Sequence, residues 1–164
     1  MNISLYQQDI CWLNPEANYK KIETVLSQLP DTDLLVLPEM CSTGFVTSPR
    51  VGQTEYFADV EQRLLDLSRR YQTALCGSFA VSLSPRQEAA DFSQDNRNRC
   101  YFVTPEGEVH HYDKHHLVHI GGESRGYEPG QEQCIVIWRG IRFFLLVCFD
   151  LRFPVWSRFT PSNS

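Results

Sequence analysis

The chain has 164 residues, of which 42% are hydrophobic and 21% charged, with fifteen Lys and Arg against twenty Asp and Glu. That mix belongs to a folded globular domain and excludes a disordered chain; a domain of this size buries roughly two-thirds of its unfolded surface around one core. A formal charge of −5 argues against nucleic acid or an anionic membrane as the main partner, and no apolar run reaches the ~18 residues of a spanning helix.

Ile3-Ser4-Leu5-Tyr6 alternates and predicts a first strand. Pro15 opens a helix whose Tyr19, Ile22, Leu26 and Leu29 share a face, and Pro30-Asp31 ends it. Asp33 to Pro38 encloses a short, continuously apolar run, the pattern of a central strand buried on both faces, and Glu39 follows at its carboxyl end. Residues 40–53, with Gly44, Pro49 and Gly52, predict a loop. The spacing of Phe57, Val60, Leu64 and Leu67 predicts a helix over 54–71. Residues 73–81 predict a strand and 83–97 a polar, exposed loop. Strands at 99–103 and 109–112 flank Thr104-Pro105-Glu106-Gly107-Glu108, a hairpin signature; 134–138 and 141–147 flank Arg139-Gly140, a second one. Residues 115–131 predict a loop. Phe153 to Arg158 predicts the first turn of a helix, and Phe159 to Ser164 breaks it. The order β-α-β-α-β followed by hairpins predicts one α/β domain with a mixed sheet and no internal linker or repeat.

The N-terminus lacks a basic segment followed by an apolar one, so no secretory signal is expected and the protein is expected in the cytoplasm. The six cysteines, Cys11, Cys41, Cys76, Cys100, Cys134 and Cys148, have wide, irregular spacings and no CxxC, which predicts free thiols.

Glu39, Lys114 and Cys148 each stand at the end of a predicted strand, where ligand sites gather in open α/β sheets. A carboxylate, an amine and a thiol together suit a covalent hydrolytic site: base, oxyanion holder and nucleophile. On spacing alone, Cys148 reads first as a buried structural thiol, and Glu39 and Lys114 as solvated charges. The five histidines between His110 and His119 raise a metal site as an alternative. Opposite-facing His110 and His111, and the lack of a Cys at ligand spacing, weigh against it, so neither metal nor cofactor is expected. A thiol redox role would want a resolving cysteine close by.

The blocks Leu37-Pro38-Glu39-Met40, Tyr112-Asp113-Lys114-His115-His116-Leu117 and Val147-Cys148-Phe149-Asp150-Leu151-Arg152-Phe153-Pro154, in that order, resemble the three catalytic blocks of the nitrilase (carbon–nitrogen hydrolase) superfamily. Asp150 to Arg158 is most similar to its omega-amidase branch, and Asn98-Arg99 and Pro105-Glu106-Gly107 also fit. The resemblance covers residues 1–158, a domain with an α-β-β-α sandwich fold of mixed sheets, and leaves 159–164 as an atypical tail.

It implies Glu39 as general base, Lys114 as oxyanion-holding lysine and Cys148 as nucleophile, with the Phe149 N–H as second oxyanion donor. It implies a second glutamate at Glu123, with Glu128 as competitor, and Arg152 near a substrate carboxylate. Arg152 could instead form an ion pair with Asp150. The implied reaction is cleavage of the omega-amide of 2-oxo dicarboxylic acids through a cysteine thioester, without cofactor or metal, on a small-molecule amide. A broader aliphatic amidase and a non-catalytic remnant are the other readings. Family members continue past the helix after the nucleophile, so a C-terminally truncated relative is expected, with apolar surface uncovered and activity reduced. Complete members are expected to be homodimers, an assembly that a shortened chain does not favour.

Overall fold

The computed structural model describes residues 1–29, 31–85 and 95–158. Strand β1 (Ile3–Leu5) leads into helix α1 (Pro15–Gln28), which Asn14 caps by accepting the Ala17 N–H at 3.1 Å, with Pro15 in its first turn. Strand β2 (Leu34–Val36) is followed by β3 (Glu55–Tyr56) and helix α2 (Phe57–Tyr71). Gln72 ends α2 in the left-handed conformation. Then come β4 (Ala74–Ser82), β5 (Asn96–Val103), β6 (Val109–Asp113), β7 (Ile135–Trp138), β8 (Ile141–Phe144) and the four-residue helix α3 (Pro154–Ser157).

Strands β1, β2, β4, β5 and β6 lie side by side in that order, and β3 pairs with the far end of β4. The β1–β2–β4 half is parallel, with Ile3 opposite Leu34 and Leu34 opposite Ala74. The β4–β5–β6 half is antiparallel, with Ala80 opposite Asn98 and Arg99 opposite Asp113. Helices α1 and α2 cover one face, packing Tyr19, Ile22, Leu26, Val60 and Leu64 on Leu35, Leu75, Phe79 and Tyr101. Each such buried Leu or Ile contributes about 1.5–3 kcal/mol relative to an exposed one. The other face packs Leu34, Ala74 and Phe102 against Val136 and Trp138 of the β7–β8 hairpin. The described layers therefore run helices, six-stranded sheet, hairpin.

The second hairpin forms its own two-stranded sheet rather than extending the first, because residues 114–134 carry the chain across to the opposite face. Its outer side leaves Ile137 65% exposed. Three bounds differ from the sequence reading by more than one residue. The ladder of the last strand stops at Phe144, although Leu145 N–H still reaches Cys134 C=O at 3.0 Å. Glu55–Tyr56 pairs with β4 instead of opening α2. Asn96 and Arg97, read as exposed loop, belong to β5. Asn96 is buried because its amide is satisfied there, donating to Gly126 C=O at 3.1 Å and accepting from Thr54 Oγ1 at 3.4 Å. The expectations at Pro30, over 86–94 and for 159–164 lie outside the described residues. No described helix is long and apolar enough to cross a membrane.

Candidate active site

Glu39 leaves the carboxyl end of β2 on a tethered stretch. Leu37 N–H donates to Cys76 C=O at 2.7 Å and Cys41 N–H to Ser78 C=O at 3.0 Å, so the chain on both sides of Glu39 is tied to β4. The approach requires glycine opposite: a Cβ on Gly77 would lie 2.6 Å from Leu37 Cβ. Met40 then turns at φ +47°, and its N–H donates to Ser78 Oγ at 3.0 Å.

Lys114 directly follows β6. Its N–H donates to Asn98 C=O at 2.9 Å, extending the β5–β6 ladder by one residue. The side chain is 1% exposed. Its Nζ donates to Glu39 Oε1 at 2.6 Å, Glu123 Oε2 at 3.0 Å and Glu123 Oε1 at 3.2 Å. Burial works against the charge, but the Glu39 and Glu123 carboxylates outweigh it and hold the Lys114 pKa above the usual lysine value. The group is therefore an ammonium fixed between two carboxylates.

Glu123 is fully buried and opens a single 3-10 turn, Glu123–Arg125. Besides Lys114, its Oε2 accepts the Val118 N–H at 2.8 Å and its Oε1 the Asn98 Nδ2 at 2.8 Å. With both oxygens doubly engaged, Glu123 is built to clamp the lysine. Glu128, the competing glutamate, is exposed and lines a separate cavity of about 510 Å3 with Tyr127, Phe149 and Phe153.

Cys148 opens a second 3-10 turn, Cys148–Arg152. It is exposed, and its φ is +44°. A non-glycine residue in that region costs about 1–3 kcal/mol and persists only where its surroundings impose it. Here Val147 N–H donates to Asp150 Oδ2 at 3.0 Å while Asp150 N–H donates to Val147 C=O at 3.1 Å, a reciprocal clasp around Cys148 and Phe149. Burial, then the charge and hydrogen bonding of Glu39, push the Cys148 thiol pKa up, while Lys114 pulls it down. The Cys148 thiol is thus near enough to Glu39, Lys114 and Glu123 to feel all three charges. Phe149 N–H lies in the first turn of that helix, where helical geometry supplies no acceptor.

The structure therefore brings Glu39, Lys114, Glu123 and Cys148 together, with Phe149 beside them. Arg152 is exposed and makes no ion pair or hydrogen bond with these side chains among the described residues. Nor does it pair with Asp150. That carboxylate is buried and taken by Tyr112 Oη at 2.7 Å, His116 N–H at 2.9 Å, His116 Nδ1 at 2.9 Å and Val147 N–H. Sequence reasoning missed Asn98 and Asp150 as parts of the site. The signal for Asn98 was a polar residue beside an apolar strand, which reads equally well as the end of a loop.

The histidines divide. His115 stacks on Trp156 at 3.7 Å and His116 on Phe153 at 3.6 Å. No three metal-ligating side chains converge among the described residues. A cavity of about 580 Å3 follows the outer edge of β6 past His111 and Gln131, and none of Glu39, Lys114, Glu123 or Cys148 lines it.

The geometry agrees with what the chain resembles. The carbon-nitrogen hydrolase family model matches residues 2–162. The omega-amidase YafV of Yersinia enterocolitica is 36% identical over 161 residues, covering 96% of this chain and 58% of the relative. The structure of XC1258 from Xanthomonas campestris, a CN-hydrolase superfamily protein with an arsenic adduct in its active site, superposes with a TM-score of 0.82 at 31% identity, covering 95% of this chain and 56% of that one. A mutant amidase from Nesterenkonia sp. AN1, carrying the acetamide moiety of fluoroacetamide on its active-site cysteine, gives 0.78 at 25% identity, covering 95% and 58%. The chain thus spans a little over half the length of these proteins. It belongs to the carbon–nitrogen hydrolase family of the nitrilase superfamily.

Proposed function

We propose that the protein hydrolyses the omega-amide of 2-oxo dicarboxylic acids, 2-oxoglutaramate or 2-oxosuccinamate, to the diacid and ammonia through a thioester on Cys148. The observation that carries this is the convergence of one base, one ammonium and one thiol from three distant stretches of sequence. The omega-amidase relative and the amidase whose cysteine takes up an acetamide moiety support the same chemistry.

In this scheme Glu39 takes the thiol proton and the Cys148 sulfur attacks the amide carbon. The tetrahedral oxyanion is held by the Lys114 ammonium and the Phe149 N–H. Glu39 returns its proton to the leaving nitrogen, the C–N bond breaks and ammonia departs. Water then attacks the thioester, giving up a proton to Glu39; the S–C bond breaks, Glu39 returns that proton to the Cys148 sulfur, and the carboxylic acid is released. Glu123 keeps Lys114 charged and aimed. Arg152, exposed on the nucleophile's own turn, is the group we assign to the substrate's distal carboxylate, where a guanidinium can form two parallel hydrogen bonds. A free thiol nucleophile suits a reducing compartment, in keeping with a cytoplasmic location.

Ammonia release from 2-oxoglutaramate, compared with a simple aliphatic amide, tests the substrate. The 2-oxo acid amide should be preferred; equal rates would favour a broad aliphatic amidase. Cys148→Ala should abolish release, and mass spectrometry of the quenched protein should find the acyl group on Cys148. Turnover surviving Cys148→Ala refutes the scheme.

A further inference from the structure

The Glu39 carboxylate is held by two donors that address the same oxygen. Oε1 accepts from Lys114 Nζ at 2.6 Å and from Asn98 Nδ2 at 2.8 Å. Oε2 receives no hydrogen bond of this kind from any described residue. Two donors on one oxygen make it the less basic of the pair and leave the other free to accept a proton.

Asn98 is built for this contact. It is 1% exposed, and the same Nδ2 also donates to Glu123 Oε1 at 2.8 Å. The two carboxylates fix which way the amide points, since a flipped Asn98 would set its Oδ1 against two anionic oxygens. Its main chain is fixed separately, by pairing with Ala80 in β4 and by accepting the Lys114 N–H. Its Oδ1, by contrast, is buried without a partner. A side chain kept only for packing would not carry an orphaned acceptor. Lys114 alone could not set the rotation of the Glu39 carboxylate, because an ammonium is a compact charge that can serve either oxygen. A planar amide on a strand adds the second fixed point.

We propose that Asn98 is a positioning residue that holds the Glu39 carboxylate with Oε1 turned inward, so that Oε2 is the oxygen that exchanges protons with Cys148. This rests on the hydrolase reading above and deepens it. One proton moves from Sγ to Oε2 as the S–C bond forms. It then moves from Oε2 to the amide nitrogen as the C–N bond breaks. Oε1 stays bonded to Lys114 and Asn98 throughout.

The test uses the full chain and needs no turnover: the rate at which iodoacetamide alkylates Cys148, followed by peptide mass spectrometry from pH 6 to 10 and beyond. Asn98→Leu should slow alkylation at neutral pH by about tenfold, the equivalent of one unit of acidity. At alkaline pH, where the thiol ionises without help, it should match the unmodified chain. A role in tuning basicity alone predicts an unchanged or faster neutral rate, because a carboxylate that loses a donor is the stronger base; that result, with an intact melting transition, overturns the proposal. Asn98→Ala is measured in parallel in case the larger side chain prevents folding.

Glu39→Gln separates the two levels of inference. If it leaves the neutral rate unchanged, the hydrolase scheme itself fails. If it slows alkylation while both Asn98 variants do not, only the role of Asn98 fails. A crystal structure of the unmutated protein decides the matter even if neither variant folds: Oε2 nearest Sγ supports the proposal, and Oε1 nearest Sγ overturns it.

Discussion

Cys148 holds a left-handed backbone, φ +44°, at an exposed position. Replacing it by glycine should therefore stabilise the fold relative to alanine while leaving no thiol. For an L-residue the left-handed region costs about 1–2 kcal/mol, which glycine does not incur. Glycine gives back roughly 0.5–1 kcal/mol through the extra freedom of the unfolded chain. The net expectation is that Cys148→Gly exceeds Cys148→Ala by about 0.5–1 kcal/mol, or about 1–4 °C in Tm for a domain of this size. Alanine is the proper reference because both variants lose the thiol and its contact with Glu39. The exposed position also means that neither leaves a buried cavity. Paired urea titrations and thermal melts would measure the difference. If Cys148→Gly proved equal to or less stable than Cys148→Ala, the reading of Cys148 as a residue held under backbone strain would be wrong.

Lys114→Met should be the most damaging of the conservative-volume changes. It leaves the Glu39 and Glu123 carboxylates facing each other without their shared cation, and breaking such a buried arrangement costs about 3–5 kcal/mol. A urea midpoint indistinguishable from the unmodified chain would contradict this. The pH dependence of that loss has a definite sign. The Lys114 pKa is raised in the folded state, so its contribution is fully present below the unfolded value of about 10.4 and disappears only as pH rises through the higher folded value. The stability difference between the two proteins should thus be flat with respect to this lysine across the neutral range and shrink only in strong alkali. Asp150→Asn should lose about 1–3 kcal/mol, because its new amide donor must face either the Val147 N–H or the His116 N–H. Hydrogen exchange at whichever of those two amides loses its acceptor should accelerate, and unchanged protection at both would dismiss the clasp.

The placement of Glu39, Lys114 and Cys148 was legible because each ends a run whose hydrophobic pattern predicts a strand. An apolar run of four residues before Glu39, an alternating one before Lys114 and a third before Cys148 place their ends without any knowledge of pairing. Helices α1 and α2 were legible from their apolar faces, and both hairpins from their turns. What stayed hidden depends on tertiary contact. Asn96 reads as loop and Asn98 as a polar residue ahead of a strand until their amide partners, Gly126 for the one and Glu39 and Glu123 for the other, arrive from elsewhere in the chain. The choice between Glu123 and Glu128 turns on burial, which five residues of spacing do not reveal. Asp150 looked like a partner for Arg152 because the two are neighbours in sequence, whereas its actual partners are Tyr112 and His116.

That last substitution of partners explains how so exposed a residue as Cys148, the proposed nucleophile, is placed so tightly. Tyr112 stands two residues before Lys114 and His116 two residues after it, and both bond Asp150, two residues after Cys148. One buried carboxylate thereby brackets the lysine on one strand end and the thiol on another turn. Tyr112 Oη is held in its turn by donation from Trp156 Nε1 at 3.0 Å and from His115 N–H at 3.2 Å, and Trp156 stacks on His115. Helix α3, which follows Cys148, is thus part of the same junction. Reacting groups must be kept within a fraction of an ångström to be effective, and a loop of exposed residues alone would not hold them so. The strain at Cys148 is tolerable because the network that imposes it is also the one that fixes Lys114, so the two sides of the proposed oxyanion site are set by a single, shared set of hydrogen bonds.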